Sequence, residues 1–185
     1  MKGKEQGETR ILRRAVMNVS PKQSLWFAWS PNPIPGPEGE GESSRPQFDA
    51  VEDGASQVQL TVLDTSKRWR HHPSADRESG PNGLDGSQGI PDDARDLENQ
   101  QYKSSNLNSD GIILSQPIHL NKLVAIFEIN NSAPTPNEPS SILEVGAAAT
   151  LDLPLDATKI FLGFHDGRHW TNNEGEDMQV QIDWL

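Results

Sequence analysis

A chain of 185 residues with a formal net charge of −11 can hold one domain with a sizeable core, and it is too acidic for a phosphate-tracking surface, which needs clustered Lys and Arg. It has no Cys, which excludes disulfides, thiolate metal sites and a cysteine nucleophile. A hydrophobic share of 33% with 15 Gly and 14 Pro puts the core in a few short apolar runs joined by much polar chain, which points to an all-β sandwich rather than a helical bundle.

Residues 1–9 are polar and predict a flexible N-terminus, with residues 10–185 forming a single domain. The opening residues Met1 to Glu8 are charged and lack an apolar centre, so no secretory signal peptide is expected in this chain. No run approaches the roughly 18 apolar residues of a membrane span. The expectation is a soluble protein without a membrane partner, its compartment left open between the cytoplasm and export by a non-classical route.

Ile11, Leu12, Ala15, Val16 and Val19 fit either a strand or a short amphipathic helix, and the strand is preferred. Residues 25–29 (Leu-Trp-Phe-Ala-Trp), closed by Pro31, Pro33 and Pro35, read as a strand whose aromatics join the core. The acidic Pro/Gly-rich residues 31–46 have nothing to bury and read as a loop. Residues 47–51 lead into an Asp53-Gly54 turn, and residues 57–64 alternate polar and apolar as a strand covered on one face does. The basic run Lys67-Arg68-Trp69-Arg70-His71-His72 could stack on a nucleobase, but a charged strand end with an anchoring Trp weighs more. No nucleic-acid partner is expected.

Residues 71–111 form a long polar stretch in which residues 93–102 suggest a short helix; so long a loop, if ordered, is usually functional, and a bound ion is one way to order it. Residues 112–114, 123–129 and 150–153 are further strand candidates, with residues 130–141 a Pro-rich loop. The total is about eight strands with no heptads or repeats, which suits a two-sheet jelly-roll-like β-sandwich with long loops.

Residues 160–185 end the chain as strand, loop, strand. Within the loop, Asp166, Thr171, Asn172 and Asn173 offer hard oxygen ligands that a turn can fold onto one point, the donor set of Ca²⁺. An EF-hand is excluded, because Arg168 and Trp170 stand at its third and fifth positions. An ordinary polar hairpin remains the competing reading, since Asp-Gly and Asn-Asn are common turn residues. His165 and His169 are four apart, but on an extended segment that spacing does not bring two imidazoles together, so zinc is disfavoured. The sequence holds no Gly-x-Ser-x-Gly elbow, phosphate loop or His-Glu-x-x-His, and catalysis is not expected.

Phe161-Leu162-Gly163-Phe164-His165-Asp166-Gly167, followed by Asn172-Asn173-Glu174-Gly175 and an alternating last strand, resembles the signature end of the calcium-dependent galactose-binding bacterial lectins of the PA-IL type. Val51-Glu52-Asp53-Gly54 with the strand after it and Trp69, the Asp76-Arg77-Glu78-Ser79-Gly80-Pro81-Asn82-Gly83 segment, and residues 123–129 resemble that family's turn, first metal loop, sugar-side loop and central strand. The likeness covers roughly residues 50–185. It implies Ca²⁺ held by side-chain oxygens of Asp166, Asn172 and Asn173, with Thr171 a further candidate, and by backbone oxygens near Trp170 and Thr171 and in residues 69–72. Two adjacent hydroxyls of a galactose-type glycan would complete the shell, touched by Asp166, His169, Trp170 and Asn173 and, from the sugar-side loop, by Ser79 and Asn82. The chain departs from the family at His169-Trp170, where a small or hydroxylated residue often sits, and at Ser79, where some members carry a histidine. The resemblance implies binding without chemical transformation, with homo-oligomerisation or incorporation in a larger protein raising avidity. The alternatives are a structural or protein-interaction β-sandwich with a stabilising calcium or none, and an accessory module of a glycan-cleaving enzyme.

Overall fold

The computed structural model describes residues 10–23, 46–70, 78–83, 122–130, 142–164 and 174–185, and among them there are ten strands and no helix. One antiparallel sheet has the order β1 (Arg13–Val19), β10 (Met178–Trp184), β3 (Gln57–Val62), β7 (Ala148–Asp152). The other has the order β2 (Phe48–Ala50), β8 (Ala157–Phe164), β5 (Leu123–Ile129), β6 (Ile142–Glu144). A third, two-stranded pairing joins β4 (Trp69–Arg70) to β9 (Glu174–Gly175). Apart from the step from β5 to β6, successive strands of the large sheets alternate between them. The chain is thus an all-β sandwich.

Period-2 alternation explains the first sheet. Val58, Leu60 and Val62 of β3 and Met178, Val180, Ile182 and Trp184 of β10 are buried in one core cluster, while the residues between them turn polar groups outward. The opposite sheet contributes Leu123, Ala125 and Phe127 from β5 and Ile160, Leu162 and Phe164 from β8 to the same cluster. Their side chains interdigitate with those of the first sheet, as two stacked sheets require. Val124 and Ile126, on the other face of β5, are buried as well. A strand buried on both faces needs a continuous apolar run, and Leu-Val-Ala-Ile-Phe supplies it.

Polar contacts also tie one sheet to the other. Arg13 on β1 donates to both carboxylate oxygens of Asp49 on β2, at 3.0 and 2.9 Å, and its Nε reaches Glu52 at 2.5 Å. Its guanidinium lies 5.6 Å from the centroid of the Trp184 ring, close enough for a cation–π contact.

The strands expected at residues 11–19, 57–64 and 123–129 are present as β1, β3 and β5, and the alternating final run is β10. Two expected strands begin earlier than the sequence suggested. β7 starts at Ala148 and β8 at Ala157, because Ala148 and Ala149 pair with Thr61 and Leu60, and Ala157 and Lys159 pair with Ile129 and Glu128 across an irregular register. The predicted features at residues 1–9, 25–29, 93–102 and 112–114 lie outside the described residues, as do nearly all of residues 31–46 and 130–141 and most of 71–111.

Candidate functional site

Trp69 is the hub of one rim of the sandwich. It is 1% exposed, and its ring packs against Phe164, the last residue of β8, with centroids 4.6 Å apart and planes at 47°. Its backbone pairs with Gly175 of β9 on one side and exchanges both hydrogen bonds with Ser79 on the other, at 3.0 and 2.9 Å. Burying the Trp inside the basic run is the anchoring role the sequence suggested, and it comes with a large apolar contact area.

Gly175 is required there by space and by backbone. A Cβ on it would stand 2.4 Å from the Trp69 Cβ, and its φ of 153° lies where other residues are strained. Phe164 and Gly175, near the two ends of the described chain on either side of residues 165–173, thus both rest on Trp69, one on its ring and one on its backbone. Antiparallel pairing sets Arg70 opposite Glu174, and Arg70 Nη2 also donates to Glu78 at 2.6 Å. Arg70 and Glu78, the described residues on either side of residues 71–77, thus lie at the same rim as Glu174.

The cations of the basic run are engaged within the chain. Lys67 Nζ meets Glu176 at 2.5 Å, and that carboxylate raises the lysine pKa. Arg68 Nη1 donates to the carbonyls of Thr65 and Lys67 at 2.6 and 2.9 Å, and Arg70 is paired with Glu78. The adjacent Asp64 accepts from the hydroxyl and backbone N–H of Ser66, which hold its pKa below the usual carboxylate value.

Of the residues assigned to the sugar, Ser79 is 2% exposed, so its hydroxyl faces the interior rather than solvent. Ser79 Oγ and Trp69 Nε1 are both buried without a hydrogen-bond partner among the described residues. Asn82 is exposed, but its Oδ1 accepts from the backbone N–H of Ala147 at 2.8 Å. That contact pins the turn at Gly146, where φ is 62° and a Cβ would lie 2.6 Å from Asn82 Oδ1. Asn82 also bridges to Lys122, whose Nζ pairs with Glu144.

Asp166, His169, Trp170, Thr171, Asn172 and Asn173 lie outside the described residues, as do His71, His72 and His165. Among the described residues no group of three or more His, Asp or Glu side chains converges as a metal site would, and no helix is long and apolar enough to cross a membrane. Sequence reasoning overlooked Phe164 as the support of Trp69 and the pairing of Arg70 with Glu78. Opposite charges flanking a polar loop were the available signal for the second. Compared with known proteins, the chain matches no family model and no curated protein.

Proposed function

We propose that this chain is a calcium-dependent carbohydrate-binding domain of the galactose-lectin kind, which binds a glycan without transforming it. The observation that carries the reading is the double anchorage at Trp69: the roots of residues 71–77 and of residues 165–173 meet on one rigid support at one rim. A site assembled from two loops needs such a common base to hold its ligands in register. The donor set also fits. Asp166, Thr171, Asn172 and Asn173 supply only oxygen, which suits a hard cation of flexible coordination number. Bound there, Ca²⁺ would leave positions that two neighbouring sugar hydroxyls can fill. We also read the alternation of strands between the sheets as jelly-roll-like winding.

A second reading is a structural or protein-interaction β-sandwich. Ser79 favours it, because a buried hydroxyl cannot touch a sugar directly. Thermal unfolding of the full chain separates the two, since a ligand that binds only the folded state raises the midpoint. A rise with calcium and a further rise with galactose supports the lectin. A rise with calcium alone supports the structural domain, and no rise with either removes both metal readings.

A further inference from the structure

We infer that the free edge of β1 is where two copies of this chain associate, β1 of one adding antiparallel to β1 of the other about Val16. Backbone alternation decides which groups are available. Leu63 N donates to Gln179 O at 2.9 Å, and Gln57 and Leu185 exchange hydrogen bonds at 3.3 and 2.9 Å. The odd-numbered residues of β10 are therefore bonded to β3, and the even-numbered ones to Arg13, Ala15, Met17 and Val19 of β1. Arg14, Val16 and Asn18 turn their N–H and C=O groups away from the sheet, and β1 pairs with no other strand among the described residues.

Exposed edges are ordinarily guarded by free charges, prolines or bulges. β1 is the longest edge strand, seven residues against five in β7 and three each in β2 and β6. Both of its charges are used within the protomer, Arg13 on Asp49 and Glu52 and Arg14 on Asp183. Besides the neutral Asn18, what remains outward is apolar: Val16 is 55% exposed, and just before the strand Ile11 and Leu12 are 44% and 38% exposed. A second copy fits this edge better than an unrelated peptide because the register is self-complementary. With the two-fold axis at Val16, Val16 meets Val16 of the second copy, Arg14 meets Asn18 and Arg13 meets Val19, so no like charges face each other. β7 itself carries no large exposed apolar side chain, although Leu155, three residues beyond it, is 85% exposed, and the three-residue edge β2 carries Phe48, 54% exposed against Phe161.

The arrangement bears on the proposed function, though it does not depend on it. Val19 pairs with Met178, just after β9 and so toward the Trp69 rim, while Arg13 is at the other end of β1. Antiparallel addition would set the two rims at opposite ends of the dimer, where they could bridge separate glycans.

Sedimentation equilibrium of the full chain over a range of concentrations tests the interface. The expected result is a reversible dimer that Val16→Lys, placing like charges at the two-fold axis, weakens roughly tenfold or more. Val16→Pro, which removes only an outward N–H, should weaken it as well, and both variants should keep the wild-type circular dichroism. Thr150→Lys on the β7 edge should leave the dimer intact. A wild-type chain still monomeric at about 100 µM, a concentration at which even weak specific pairs form, would overturn the proposal. So would a dimer indifferent to both Val16 variants, or one broken by Thr150→Lys instead.

Discussion

The indole N–H of Trp184, on the last strand of one sheet, donates to Asp49 Oδ2, on the first strand of the other, at 2.9 Å. The same carboxylate receives the Arg13 fork, and Arg13 also lies over the Trp184 ring. Asp49 thus satisfies a fully buried indole and a half-buried guanidinium together. Asp49→Ala should lower unfolding stability by about 2–4 kcal/mol, since it leaves both donors short of a partner. Asp49→Asn keeps an acceptor for Trp184 and should cost less. Denaturant midpoints at unchanged slope would measure both.

Asp183 is 3% exposed although it stands on the outer, polar face of β10. Arg14 and, to a smaller extent, Gln181 hold its carboxylate by hydrogen bonds and depress its pKa against the opposing effect of burial. A depressed folded-state pKa gives stability that is fully present above the ordinary carboxylate value and is lost as pH falls through and below it. The midpoint of thermal unfolding should therefore be flat with respect to this group near neutrality and drop in acid. Asp183→Asn should cost about 1–2 kcal/mol near pH 7, discounted for the exposure of Arg14, and should flatten the acid limb of the profile.

Trp69 separates bulk from hydrogen bonding. Trp69→Ala should remove about 3–5 kcal/mol of stability by opening a cavity beneath Phe164. Trp69→Phe keeps most of the packing and removes an Nε1 that has no partner among the described residues, so it should cost far less than the alanine change. If both cost the same, the indole nitrogen has a role that its surroundings do not display.

Gly175→Ala should disrupt the rim more than the core. The added methyl meets Trp69 Cβ and backbone, neither of which can swing aside, so β9 must separate from β4. The expected loss is about 1–3 kcal/mol for a strained φ. If the rim supports a calcium site, calcium affinity should fall together with stability, and titration calorimetry on the folded variant would show it.

The sequence was legible where the pattern is long and periodic. β3 and β10 alternate strictly, and β5 is a continuous apolar run, so period and burial agree without help from tertiary context. β4, β6 and β9 are two or three residues long, too short to carry a period, and exist because a partner strand passes alongside. Ser79 shows the limit at the site. A serine in a polar, Gly-Pro-containing segment reads as exposed, yet cross-strand pairing with Trp69 turns it inward, and pairing is not written in local composition. Gly175 was visible as part of a motif, but the steric demand for it comes from Trp69, more than a hundred positions away in the chain.

The most direct test of the account is calorimetric titration of galactose into the full chain in the presence of calcium, repeated with chelator and with Asp166→Ala. The account predicts saturable binding with calcium, none with chelator, and none in the variant at unchanged fold. Binding that persists without calcium or without the Asp166 carboxylate, or no binding to galactose or any related monosaccharide in calcium-replete buffer, would contradict it.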